Sequence, residues 1–232
     1  MPPRVTASNR EVGCAGFELS FDPAINEIFG AWVAGGTVCV VRQSEVLFPG
    51  SFVNEKRLTH LLALPSMVAF AIQYRQLATG SFPSLRDILL GGEPVSVKHA
   101  AAFADAAPSA VIHNCYGPTE LSVLCAEYRL PRRREMWPQT SNGTVPIGDV
   151  YSHLEYTILD TDLRPCDDGE LCVRGPQRFP GYLMVRVEEH VAIIFGGGLK
   201  DSRIGRHDNF SITEATASLP FRSWKESGPP LA

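Results

Sequence analysis

Apolar residues recur at helical spacing in INEIFGAWVA, where Ile25, Ile28, Phe29 and Trp32 fall on one predicted face. A Gly-Gly pair and the β-branched run TVCVV follow, which predicts a buried strand over 36–41 entered from a turn. The stretch LTHLLALPSMVAFAIQYRQLATG predicts a helix, a break at Pro65, and a second helix that closes near Gly80. SLRDILL predicts a short strand through Leu90, turned by Gly91-Gly92 into an alanine-rich helix over about 97–106. SAVIHNCYG then supplies another short apolar strand.

Strands alternating with helices of this length predict an α/β fold: a mostly parallel sheet with flanking helices. Ligands of such sheets sit at the carboxyl ends of the strands, where the Gly-rich turns fall. After Pro138 the pattern changes to short strand-like runs, HLEYTILD and ELCVRG, separated by the polar TDLRPCDDG. This predicts an α/β part over about 17–137 and part of a β-rich lobe over about 138–183. From 184 to 232 periodicity weakens, which predicts a divergent, poorly ordered tail.

Composition narrows the possible roles. The chain has 232 residues, 44% apolar and 20% charged, enough for a real core. A net charge of −4 gives no general attraction to nucleic acid or to anionic membranes, and Arg132-Arg133-Arg134, beside Pro131 and Glu135, reads as a solvated loop. Six cysteines without a C-x-x-C pair predict reduced thiols, with neither a zinc site nor a disulfide framework. The N-terminus lacks an apolar leader core, and LLALPSMVAFAI is too short to span a bilayer, so a cytoplasmic location is expected. GGGLKDSR does not fit a phosphate-loop motif, no G-x-S-x-G is present, and the histidines show no metal-binding spacing. His113, next to the aromatic corner NCYGPTE, is a candidate for lining a pocket.

Five blocks together resemble the adenylation domains of the adenylate-forming superfamily, of the nonribosomal peptide synthetase type. They are FDPAINEIFGAWVAGG, LLGGEPV, NCYGPTE, VPIGDVYSHLEYTILD and GELCVRGPQRFPGYL, in that order between Phe21 and Leu183. The resemblance implies a partial AMP-binding domain over 1–183, with ATP and Mg²⁺ as cofactors. Adenylation joins a carboxylate to the α-phosphorus of ATP, so its site must align two anions and offset the charge that develops. By resemblance, Tyr116 stacks on adenine, the Thr119 hydroxyl reaches the α-phosphate, and Glu120 holds Mg²⁺. Gly92, Glu93, Pro94, Asn114 and Gly117 complete the nucleotide side, with Gly117 letting the backbone approach the nucleotide. A plainer reading makes Tyr116 a core residue and Thr119 a helix N-cap; another makes Gly92 to Pro94 an ordinary strand-to-helix turn.

The same resemblance places Asp22 against the α-ammonium of an amino-acid substrate, although Asp22 before Pro23 also suits a helix N-cap. The implied substrate pocket is Asp22, Pro23, Asn26, Leu89, Gly91, Cys115, Val123 and Leu124. Beyond Asp22 it contains neither a cation nor a second acid, which favours a neutral amino acid. The implied partner is a carrier protein whose phosphopantetheine thiol accepts the acyl group.

The pattern is also departed from. No Thr/Ser/Gly-rich phosphate loop precedes Phe21 and no ribose-binding aspartate block follows Leu183. IGRHDN only faintly resembles the hinge before a lysine-bearing C-terminal lobe. Each lost donor to a transition-state oxyanion costs about two to three powers of ten in rate, so the chain alone is expected to make adenylate very slowly or not at all. A gene fragment, a frameshift and a decayed domain each fit that expectation. Two other functions stay open: a noncatalytic nucleotide- or amino-acid-binding remnant, and an acyl- or aryl-CoA ligase fragment.

Overall fold

The computed structural model describes residues 11–42, 45, 48–160, 162, 164–167 and 169–179. The expected tail, the faint hinge and GGGLKDSR therefore lie outside the described residues. Strands are β1 (Val12–Ala15), β2 (Thr37–Val40), β3 (His60–Ala63), β4 (Asp87–Gly91), β5 (Val111–Tyr116), β6 (Ala126–Arg129), β7 (Asp149–Val150), β8 (Glu155–Leu159) and β9 (Glu170–Arg174). Helices are α1 (Pro23–Val33), α2 (Pro49–Lys56), α3 (Pro65–Gln73) and α4 (Val97–Ala106).

The main sheet runs β3-β4-β5-β6-β7. It is parallel as far as β5 and antiparallel beyond, so the sheet is mixed. The reason is the length of the β5–β6 link: residues 117–125 are too few for a crossover helix, and a short link returns the chain antiparallel. β1 and β2 form a parallel pair of their own, in keeping with the α1 crossover between them. Thr59 ties that pair to the main sheet, its N–H donating to the Val12 carbonyl (2.9 Å) and its Oγ1 accepting from the Val12 N–H (2.9 Å). β8 and β9 form a separate antiparallel pair, the part of the β-rich lobe among the described residues.

Helix α4 has the expected bounds because Ser96 caps it, its Oγ accepting the His99 N–H at 3.1 Å. Four elements differ from the sequence-based expectation. Residues 60–63 form a strand rather than a helix; a short apolar run is ambiguous by period, and pairing with β4 decides it. Helix α3 ends at Gln73, well before Gly80, and the chain then turns through Arg75 at φ 55°. β2 is not buried, since Thr37 and Val40 at its ends are exposed. Helix α2 was not expected at all; its polar sequence is held by Pro49 in the first turn and by the buried Phe52 and Val53.

The core lies between the sheet and helices α2, α3 and α4, where Leu58, Leu61, Phe82, Leu85, Ile88, Leu90 and Phe103 are essentially inaccessible. Helix α1 behaves oppositely. Its buried residues are Ala24 and Glu27, while Ile25, Phe29, Trp32 and Val33 are exposed. Among the described residues no helix is long and apolar enough to cross a membrane. The six cysteines are all free thiols. In the arginine cluster, Arg134 donates to the Ala101 carbonyl at 2.8 Å, pairs with Asp105 at 2.6 Å and lies over the Trp137 ring.

Candidate functional site

A cavity of about 200 Å³ opens at the carboxyl ends of β3, β4 and β5. The parallel strands point their last residues at one place, and the chain leaves each strand through Leu64, Gly92 and Gly117, which all line the cavity. This is where the fold class predicts a ligand.

Tyr116 closes β5 and lines the cavity. It packs against the buried cluster of Leu121, Cys125, Ala126 and Leu154, and burial pushes its hydroxyl up to about 12. Tyr116 thus belongs at once to a small core and to the cavity wall. The next residues make a one-turn 3₁₀ helix, Thr119–Leu121, with Pro118 rather than Thr119 at its N-cap. Thr119 is exposed and lines the cavity, so its hydroxyl is not spent on the cap that the plainer reading gave it. Glu120 is half-buried beside it and is not among the residues lining the cavity.

After this turn the backbone takes two left-handed residues, Ser122 (φ 51°) and Val123 (φ 77°). For a β-branched residue this conformation is strained and needs support from its surroundings. Support comes from several directions. The Cys125 N–H donates to the Tyr116 carbonyl at 2.8 Å, and Gln177 Nε2 donates to the carbonyls of Leu121 (2.5 Å) and Leu124 (2.7 Å). Ser122 Oγ in turn donates to the Gln177 carbonyl at 2.6 Å. The result presents Val123 and Leu124 to the cavity. Gly117 makes this fold-back possible, because a Cβ there would stand 2.5 Å from the Val123 carbonyl oxygen and 2.6 Å from the Leu124 Cα. The close approach that Gly117 permits in the structure is therefore to its own chain.

Asn114 is buried and lines the cavity, but its side-chain amide is engaged: Nδ2 donates to the carbonyls of Val145 (2.9 Å) and Pro146 (2.8 Å). It fixes the segment that carries Thr144, Val145 and Ile147 into the cavity wall. Glu93 is similar. Its two carboxylate oxygens accept from the Ser66 N–H and the Ser66 hydroxyl, each at 2.8 Å, at the first turn of α3. An anion at that helix end is favoured by the orphan N–H groups. Gly91 and Gly92 line the cavity with Pro94; a Cβ on Gly91 would meet the Cys115 carbonyl oxygen at 2.5 Å, and Gly92 has φ 77°.

On the other wall, Asp22 precedes α1 but makes no side-chain capping bond, and its residue lines the cavity with Pro23. Cys115 lines it too, with burial raising its thiol well above the ordinary range. Asn26 and Leu89 are not among the lining residues. His113 does not line the cavity either: it is buried between Asp87 and Glu127. Phe17, Phe21, Leu62, Leu64, Val95 and Ile147 line the cavity without having been singled out in the sequence. Phe21 and Gln177 were within recognised blocks; Phe17 carried no signal, since only the loop after β1 brings it there.

Two charged residues line the cavity, Asp22 and Glu93; no Lys, Arg or His is among the described lining residues. Among the described residues there is also no cluster of three or more potential metal ligands.

The parallel strands of this α/β fold thus open a cavity at their carboxyl ends, with Tyr116, Gly117, Pro118 and Thr119 of one turn in its wall. Residues 3–183 match the AMP-binding enzyme family, and the chain belongs to it. It is 32% identical over 176 residues to nonribosomal peptide synthetase 8 of Aspergillus fumigatus, covering 75% of this chain and 2% of that one. It is 27% identical over 188 residues to the D-alanine--D-alanyl carrier protein ligase of Staphylococcus haemolyticus, covering 78% of this chain and 36% of that one. Among solved structures, the Vibrio cholerae adenylation domain AlmE in complex with glycyl-adenosine-5'-phosphate superposes with a TM-score of 0.67 and 26% identity. That match covers 76% of this chain and 34% of the solved one, so the chain spans about a third of that relative's length.

Proposed function

We propose that the cavity takes ATP and a neutral amino acid and joins them as an aminoacyl adenylate for transfer to a carrier-protein thiol. The observation that carries this reading is that Asp22, Tyr116 and Thr119 line one cavity, with Asp22 and Thr119 both free of the helix-capping duties that would explain them otherwise. The carboxylate oxygen of the amino acid attacks the α-phosphorus, the bond to the β-phosphate oxygen breaks, and pyrophosphate leaves.

In this reading Asp22 pairs with the α-ammonium, and the apolar wall of Cys115, Val123 and Leu124 admits an uncharged side chain. Tyr116 supplies a face for the adenine and Thr119 a hydroxyl for the α-phosphate. A magnesium ion suits the donor set in kind, because it is held by one or two carboxylates together with substrate phosphates and keeps several waters. Glu120, next to Thr119 in the chain but outside the cavity lining, would hold it, and the ion would offset phosphate charge that no side chain among the described lining residues neutralises. The relatives support the substrate class: one is named for D-alanine and a carrier protein, and another was solved with glycyl-adenosine-5'-phosphate.

Catalysis is slow in the same reading, since the described lining residues offer no cation to the transferring phosphate. That feature favours, as a second reading, a site that binds nucleotide and amino acid without turning them over. Amino-acid-dependent ATP–pyrophosphate exchange separates the two, with equilibrium binding of ATP measured alongside. Exchange with neutral amino acids, abolished in Asp22→Ala, supports ligation; ATP binding without exchange supports the second reading. Exchange with deaminated acids alone, unaffected by Asp22→Ala, would indicate an acyl- or aryl-CoA ligase.

A further inference from the structure

Helix α1 turns an acid inward and its apolar stripe outward, the reverse of the usual amphipathic arrangement. Glu27 is 8% exposed, and its carboxylate gathers three donors from β1 and the segment that leaves it. Oε2 accepts the N–H groups of Gly16 (2.9 Å) and Phe17 (3.2 Å), and Oε1 accepts from the Cys14 thiol (3.2 Å). Burial raises the Glu27 carboxyl above its ordinary value, against the lowering effect of the Phe17, Cys14 and Gly16 bonds.

The loop from Gly16 to Asp22 is thereby fixed at both ends. Glu27 holds its first two residues, and the start of α1 at Pro23 holds its last. Between them the Phe21 N–H donates to the Glu18 carbonyl at 2.9 Å, and the rings of Phe17 and Phe21 meet edge to face at 5.7 Å. Phe17, Phe21 and Asp22 all line the cavity. A buried carboxylate is a poor source of net stability compared with a packed apolar side chain. What it does supply here is a fixed direction for two backbone N–H groups and hence for the wall they begin.

We propose that Glu27 is a positioning residue for the amino-acid end of the cavity, holding the Phe17-Phe21-Asp22 wall at the spacing that an α-amino acid requires. This rests on the reading of the cavity as an amino-acid adenylation site. Glu27 does not touch the ligand; it acts through the loop. The nucleotide end, built on β4, β5 and the turn after Tyr116, is independent of it.

The test compares AMP with a set of non-hydrolysable aminoacyl sulfamoyl adenosines carrying glycine, alanine, valine and proline, titrated calorimetrically into the full chain and its E27Q and E27L variants. The expected result is that E27L weakens the tightest aminoacyl analogue by about tenfold while leaving AMP affinity unchanged. E27Q, which keeps an oxygen for the Gly16 and Phe17 N–H groups, restores most of the loss. Equal loss for AMP and analogue, or no loss for either, overturns the positioning role and leaves the adenylation reading standing. Wild-type protein that binds AMP but no aminoacyl analogue better than AMP overturns both. Should E27L fail to fold, hydrogen exchange on the wild type decides: the Gly16 and Phe17 amides gain protection with the analogue and not with AMP, and equal protection by both sinks the proposal.

Discussion

Nδ1 of His113 lies 2.5 Å from Oε1 of Glu127, joining β5 to β6 at the seam where the sheet changes from parallel to antiparallel. The other ring nitrogen lies 3.1 Å from Asp87 Oδ1, and Asp87 Oδ2 lies 3.1 Å from Nε2 of His60. A row of alternating imidazoles and carboxylates thus crosses four strands, from the first residues of β3 and β4 to β5 and β6.

This row makes stability depend on pH in a defined sense. Burial opposes the charged form of Asp87, but the hydrogen bonds from His113 and His60 outweigh it and hold the carboxyl well below its ordinary range. Its contribution is present above the unfolded value of about 3.9 and is lost as pH falls through the folded value. Burial likewise opposes the imidazolium of His113, and the bonds to Asp87 and Glu127 outweigh it and raise its pKa. That contribution is full below about 6.5 and is lost as pH rises through the raised value. The thermal unfolding midpoint should therefore peak between about pH 4 and pH 6.5, and His113→Gln should flatten the decline on the alkaline side.

Asn114→Ala removes both donors to the Val145 and Pro146 carbonyls from a buried position. Two acceptors are left without their partner, so a loss of about 1–3 kcal/mol is expected in urea unfolding. Asn114→Asp should be worse, since a carboxylate oxygen replaces the amide that donates.

Gly117→Ala forces a methyl group against the backbone of Val123 and Leu124. The expected cost is about 1–3 kcal/mol from overpacking. Because the displaced segment lines the cavity, aminoacyl-adenylate binding measured by calorimetry should fall by more than the stability loss accounts for.

Tyr116→Ala removes the aromatic face at the end of β5 and should weaken AMP binding by about 1–3 kcal/mol, the usual worth of stacking a base on an aromatic ring. Tyr116→Phe keeps the face and should bind AMP nearly as well. Equal loss in both variants would mean that the hydroxyl, not the ring, meets the ligand.

Much of the fold was legible because its signals are local. The alanine-rich run and the Gly91-Gly92 turn define α4 and the end of β4 within a short window, and the alternation of apolar runs defines an α/β sheet. The Asp22, Tyr116 and Thr119 positions were legible as members of recognisable blocks, and the structure brings them to one cavity. Where two backbone periods fit the same residues, as in 60–63, only pairing with β4 chose between them.

The sequence by itself determined the family, the alternating α/β character and the place of the cavity at the strand ends, since these follow from patterns spanning a few residues each. Tertiary structure alone decided what each side chain does there. It spent the Asn114 amide on two distant carbonyls and Glu93 on the start of α3. It buried His113 between acids from two other strands, and it turned Glu27 inward to hold the loop of Phe17. A hydrogen-bonding group takes whichever partner the fold brings within about 3 Å, and partners tens of residues away leave no trace in the local pattern.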